Sequence, residues 1–181
     1  MTRWISRLGV RRVIVGVALA LAAAQSGCSL ERSGDATAEA EQRRLAPDFT
    51  IPDLDGNPVS LSQFRGKTVV VDFWATWCPP CIFQVPELNA FWEAHKDRGD
   101  VAVLGVAVDV EGVEVVAPWV AEQSVRYTIL LGSERLANEF GVLGFPTLAV
   151  VAPDGTIDSL HVGLIERDEL EEVVAAQLPA S

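Results

Sequence analysis

Apolar residues follow two rhythms along this chain. Thr68-Val69-Val70-Val71-Asp72-Phe73-Trp74 is a nearly continuous β-rich run interrupted by one acid, and Val101 to Val108 is a second. Runs of that kind form central strands buried on both faces. Between them Val85, Leu88, Phe91 and Trp92 fall at helical spacing, and Pro79 or Pro80 suits the opening of that helix. Glu111 to Gln123 predicts a helix, Arg126 to Leu131 a short strand, and Glu134 to Phe140 a helix capped by Ser133 and stopped at Gly141. Pro146 to Val151 and Thr156 to Val162 read as strands joined by Pro153-Asp154-Gly155, and Glu166 to Gln177 as a closing helix. Ahead of the first run, Phe49 to Leu54 and Pro58 to Leu61 flank Asp55-Gly56-Asn57, a hairpin signal. Strands alternating with helices, then a hairpin and a last helix, predict an α/β domain whose mixed central sheet carries helices on both faces.

The pattern upstream differs. Arg3, Arg7, Arg11 and Arg12 precede the unbroken apolar run Val13 to Ala24. That run is shorter than the roughly 20 residues a membrane-spanning helix needs. A basic region before a short apolar stretch is the form of a secretory signal; an uncleaved short anchor is the alternative. The stretch closes on Ser26-Gly27-Cys28, which resembles the lipobox of bacterial lipoproteins, with Gln25 where that motif carries an apolar residue. The resemblance implies cleavage before Cys28 and a lipid on its thiol, and hence a protein held on a membrane. A plain secretory signal would instead leave Cys28 as an odd thiol. Polar residues follow to Leu45, so the division expected is a signal at 1–27, a flexible tether at 28–45 and a domain at 46–181.

Composition narrows the function classes. Of 181 residues, 14 are Lys or Arg and 25 are Asp or Glu, for a net charge of −11. Losing the signal removes four Arg and no acid. Such a chain lacks the basic footprint of nucleic-acid binding. Three Cys and two His are too few and too scattered for a four-ligand zinc site, so no metal is expected.

The candidate chemistry is Trp77-Cys78-Pro79-Pro80-Cys81. Two cysteines separated by two residues, between a buried strand and a helix, can close a disulfide. Cys78 at the helix start would have its thiolate favoured by free N–H groups and the helix dipole. Cys81, a turn further in, would be shielded. An accessible attacking thiol beside a protected resolving thiol is the requirement of thiol–disulfide exchange. An inert bridge over so short a loop would stabilise little.

Val69 to Cys81 resembles the active-site segment of thioredoxin-fold proteins, and is most similar to membrane-tethered thiol:disulfide oxidoreductases of the TlpA/ResA type within the redoxin group. The leading hairpin and the Glu111–Thr128 insertion match that subgroup, and the likeness runs from about Ala46 to the C-terminus. It implies a thioredoxin-like fold with an N-terminal hairpin extension and an αβ insertion. It implies a cis Phe145–Pro146 bond facing the cysteines, with Phe145, Pro146 and Trp77 binding substrate and Pro79 and Pro80 tuning the site. It places Asp72 beneath the resolving thiol, where burial raises a carboxyl pKa and equips it to take the Cys81 proton. It also implies an active-rim acid near Asp109 or Glu111. No cofactor is expected beyond the redox-active disulfide. Protein thiols and disulfides, and a membrane electron donor or acceptor, are the implied partners; the periplasm or cell envelope is the implied place, and reduction during cytochrome c maturation the implied task.

Two rival enzymes are weaker. A thiol peroxidase would carry Thr or Ser and Pro where this chain has Ala75 and Val71. A copper-assembly factor would recruit His161 and needs a three-residue cysteine spacing. His161 reads as a surface or packing residue, His95 as solvated or a helix C-cap, Trp74, Trp92 and Trp119 as packing, and the acids of Glu166 to Glu172 as a solvated face.

Overall fold

The computed structural model describes residues 44–178. The signal at 1–27, Cys28 and all of the tether but its last two residues lie outside that range. β1 (Thr50–Pro52) and β2 (Pro58–Ser60) form the antiparallel hairpin, with Ile51 opposite Val59. The Asp53 carboxylate accepts from the backbone N–H of Asp55 and Asn57, and Gly56 takes φ +84°, a left-handed geometry open to a residue without Cβ.

Five strands form the main sheet in the order β5 (Thr128–Leu131), β4 (Val101–Ala107), β3 (Thr68–Trp74), β6 (Thr147–Val151), β7 (Ile157–Val162). β3, β4 and β5 are parallel; β6 and β7 run antiparallel to their neighbours. Every residue of β3 is buried, as its composition requires. Adjacent residues of a strand face opposite sides. Phe73 meets Phe140 of α3 (Glu134–Phe140) at 5.0 Å, while Trp74 stacks on Trp119 of α2 (Val113–Glu122) at 4.3 Å. Helices therefore cover both faces. α1 (Cys81–His95) packs on α4 (Arg167–Ala175).

Ser133 accepts a hydrogen bond from Leu136 N, and Gly141 closes α3 at φ +87°, as a cap and a stop should. Other bounds shift for tertiary reasons. The strand expected from Arg126 starts at Thr128, because the Arg126 N–H is taken by Asn89 Oδ1 of α1. The helix expected from Glu111 starts at Val113, after a turn in which Gly112 N–H reaches the Asp109 carbonyl. The folded body begins before the expected Ala46. Arg44 caps the carbonyls of Glu139 and Phe140, and Ile157 N–H donates to Arg44 O.

His95 corrects the sequence expectation. It is buried, stacked on Phe91 at 4.4 Å, with Nε2 2.7 Å from Glu171 Oε2. Glu171 is thus one member of the acidic run that is not merely solvated.

Candidate active site

The C-terminal end of β3 delivers the chain into Ala75-Thr76-Trp77-Cys78. Cys78 N–H donates to Ala75 O, and Cys81 N–H to Cys78 O, both at 3.1 Å. These are tight three-residue turns, so the regular helix begins at Cys81, with Pro80 at its N-cap in helical geometry. Cys78 stands just before the helix rather than in its first turn. Pro79 and Pro80 are exposed, and neither has an N–H to offer a thiolate. The two sulfurs are joined, S–S 2.04 Å and Cα–Cα 5.4 Å. In this oxidised state Cys78 is 4% exposed and Cys81 2%, so the contrast expected from their positions is narrow; the neighbours are what lie open. Trp77 is 59% exposed and meets the half-buried Phe145 edge-on at 5.7 Å. The Phe145–Pro146 bond is cis, and Pro146 is buried. Pro146 O accepts from Gly163 N–H, which holds the loop to the end of β7.

Asp72 is 2% exposed and lies between Gly105 of β4 and Leu148 of β6 in the sheet register. Its Oδ1 has no hydrogen-bond partner among the described residues, nor does Trp74 Nε1. Burial raises the Asp72 carboxyl from 3.8 to about 7, since desolvation penalises the charged form. The buried Tyr127 phenol is pushed well above its ordinary value, by burial first and the Asp72 charge second. Gly105 makes room for this cluster. A Cβ there would lie 2.6 Å from Ile129 Cδ1 and 2.9 Å from Tyr127 Cε2. Tyr127, in the bend before β5, carries no local signal because Asp72 is 55 residues away, on β3.

The two candidate rim acids part company. Glu111 is exposed. Asp109 is buried, and its carboxylate accepts from Thr76 N–H at 3.1 and 3.2 Å and from Thr76 Oγ1 at 2.5 Å. It ties the loop after β4 to the loop that carries Cys78. Gln84, three residues past Cys81, was missed. Its buried amide donates to Ile165 O and accepts from Ile165 N–H, so it pins α1 to the segment before α4. His161 Nε2 is 2.9 Å from Leu164 O, and its Nδ1 is 3.7 Å from Glu169.

This geometry can do one kind of chemistry well: dithiol–disulfide interchange at an open apolar mouth, on a strand–helix junction whose strand also carries a buried carboxyl raised to about 7. Residues 43–160 match the AhpC/TSA family. The chain belongs to that family. It is 29% identical over 137 residues to "Thiol-disulfide oxidoreductase ResA" of Bacillus thuringiensis subsp. konkukian, covering 74% of this chain and 77% of the relative. Among solved structures, the thioredoxin domain of a thiol-disulfide oxidoreductase from Bacteroides vulgatus is 31% identical with TM-score 0.65, covering 73% of this chain and 94% of that one. A thiol:disulfide interchange protein of the thioredoxin family from Chlorobium tepidum is 27% identical with TM-score 0.66, covering 75% and 97%. The fold is thioredoxin-like, and this member of the family is a thiol:disulfide oxidoreductase with a disulfide-forming pair at Cys78 and Cys81.

Proposed function

We propose that the chain is an envelope-anchored reductant of protein disulfides, with Cys78 as attacking thiol, Cys81 as resolving thiol and Asp72 as the base for Cys81. The Cys78–Cys81 disulfide beside the open Trp77 and Phe145 carries the exchange reading, and Asp72, raised by burial to about 7, supports the proton step. Reduced Cys78 attacks one sulfur of the substrate disulfide as a thiolate. The substrate S–S bond breaks, one substrate sulfur leaves as thiolate and takes a proton from water, and a mixed disulfide forms. Cys81 then gives its proton to Asp72 and attacks Cys78 Sγ. The second substrate sulfur leaves as thiolate and takes a proton from water, Asp72 later releases its proton to solvent, and the protein keeps the Cys78–Cys81 disulfide. Two electrons have passed to substrate, carried by the sulfurs alone, so no further cofactor is required. Trp77, Phe145 and Pro146 form the substrate platform. An extended segment can pair with the Phe145 backbone in the manner of an added strand.

Turnover needs a membrane protein that re-reduces the pair. The basic and apolar N-terminal segment and Cys28 support export and lipid attachment, and the likeness to ResA supports an extracytoplasmic place. Apocytochrome c cysteines are the proposed targets. Equilibration of the protein with glutathione buffers tests the direction of flow. A potential near that of thioredoxin, about −270 mV, is expected, and one near DsbA's, about −120 mV, overturns it. Mass spectrometry of the mature protein tests the anchor: an unmodified Cys28 on a soluble product overturns that part alone.

A further inference from the structure

Phe145 is a wall shared by two spaces. One side of its ring meets Trp77 beside Cys78. It also lines a cavity of about 130 Å³ with Glu134, Ala137, Asn138, Val142 and Leu143. That volume is well below the roughly 300–1,000 Å³ of small-molecule sites, and suits one long side chain. Ala137 and Val142 are buried, while Leu143 is 92% exposed, so the cavity has an apolar floor and an apolar lip. Its polar groups are at the rim. Glu134 is exposed and has no ion pair among the described residues; the adjacent Arg135 is committed to Glu139 at 2.9 Å.

We propose that this cavity receives a Lys or Arg side chain of the substrate polypeptide, close in sequence to its reacting cysteine. The apolar floor takes the methylene stem, as long basic side chains prefer, and the Glu134 carboxylate takes the cation. The net charge of −11 favours approach of a basic segment in the same sense. An acidic substrate residue would meet Glu134 with like charge, and the site would select against it. The inference rests on the proposed exchange reaction and names the substrate that this reaction accepts.

The test uses reduced protein and three decapeptides, each with one cysteine blocked as a mixed disulfide with thionitrobenzoate. They differ only in having Lys, Ala or Glu flanking the cysteine, and thionitrobenzoate release gives the rate. The Lys peptide is expected to react about three- to fivefold faster than the Glu peptide, the scale of a partly exposed ion pair. The preference should shrink at high salt. Glu134→Gln should bring the ratio toward one, and Glu134→Lys should invert it. The ratio is taken within each variant, so a loss of folded protein cancels. An unchanged Lys-to-Glu ratio in both variants overturns the proposal while leaving the exchange reading intact. If the unaltered protein fails even with hydroxyethyl disulfide, the exchange reading falls and this inference with it.

Discussion

Two buried acids stand on β3, which leads to the disulfide loop, and just past the end of β4, and their surroundings differ. Asp72 sits mid-sheet on β3, with one oxygen lacking any partner among the described residues and its pKa raised to about 7. Asp109, just past the end of β4, accepts three hydrogen bonds from Thr76. Both are more than nine-tenths buried, so burial alone does not decide what an acid does. Asp109 has Thr76 to donate to its oxygens, whereas an unpaired site in apolar surroundings favours the neutral form of Asp72. The unpaired acid, Asp72, is the one proposed above to move a proton. The other holds the loop that carries Cys78.

Cutting the route by which Asp72 acts gives the largest expected effect. Cys81→Ala removes the resolving thiol, so multiple turnover should cease and the mixed disulfide with Cys78 should accumulate, seen as a mass adduct. In that background Asp72→Asn should leave the rate of adduct formation unchanged, because the first attack does not involve Cys81. A slowed first attack would show that Asp72 serves Cys78 instead, and the division of labour would be lost.

Asp72→Asn in the intact protein comes next. The unfolded carboxyl ionises near 3.8 and the folded one at about 7. Between those values the native state keeps a proton that the unfolded state has lost, so stability falls as pH rises through the window. A gap of about three units corresponds to at most about 4 kcal/mol. The variant of the oxidised protein should be more stable at pH 8 by about 2–4 kcal/mol on that scale, and the slope between pH 4 and 7 should flatten. Turnover near neutrality should drop because Cys81 loses its base. Denaturant midpoints across pH, with peptide-disulfide turnover, check both signs together.

The contrast between the acids was only half legible in the chain. Asp72 stood out as the one acid in a β-rich run, and its distance of six residues from Cys78 was informative. Ser133 and Gly141 marked the bounds of α3 because caps and left-handed stops are local. Asp109 carried no such mark, since its partner Thr76 is 33 residues away. Arg126 lost its strand position to Asn89 for the same reason. His95 and Gln84 are a different lesson. Cys81, Gln84, Val85, Leu88, Phe91 and His95 share the buried stripe of α1, so helical periodicity extended by one turn in each direction would have placed both inside. The polarity of the two side chains masks that period.

Asp109→Ala should act with the opposite sign to Asp72→Asn. It leaves the Thr76 N–H and hydroxyl without their acceptor, and hydrogen bonds to a charged group are worth about 1.5–3 kcal/mol. Destabilisation of about 3 kcal/mol is expected from the shared set, measured by urea midpoints, and an unchanged midpoint would show that Asp109 anchors nothing.

Thr76→Val sharpens the same point with the least disturbance. Valine keeps the branched shape and the backbone N–H, so the two contacts from Thr76 N to the Asp109 oxygens can persist. Only the hydroxyl donor at 2.5 Å is removed. Thr76 is half-buried, so part of the lost bond is recovered by water, and about 1 kcal/mol of stability should go. The effect on chemistry should be confined to the first step. Thr76 lies two residues before Cys78 and reaches neither Cys81 nor Asp72 through any hydrogen bond described above. A loosened loop presents the Cys78 sulfur less uniformly, which slows adduct formation in the Cys81→Ala background by a small factor. The pH dependence set by Asp72 should be unmoved. If Thr76→Val instead shifted that pH dependence and spared the first attack, the loop and the sheet interior would be one coupled unit, and the two acids could no longer be assigned separate tasks.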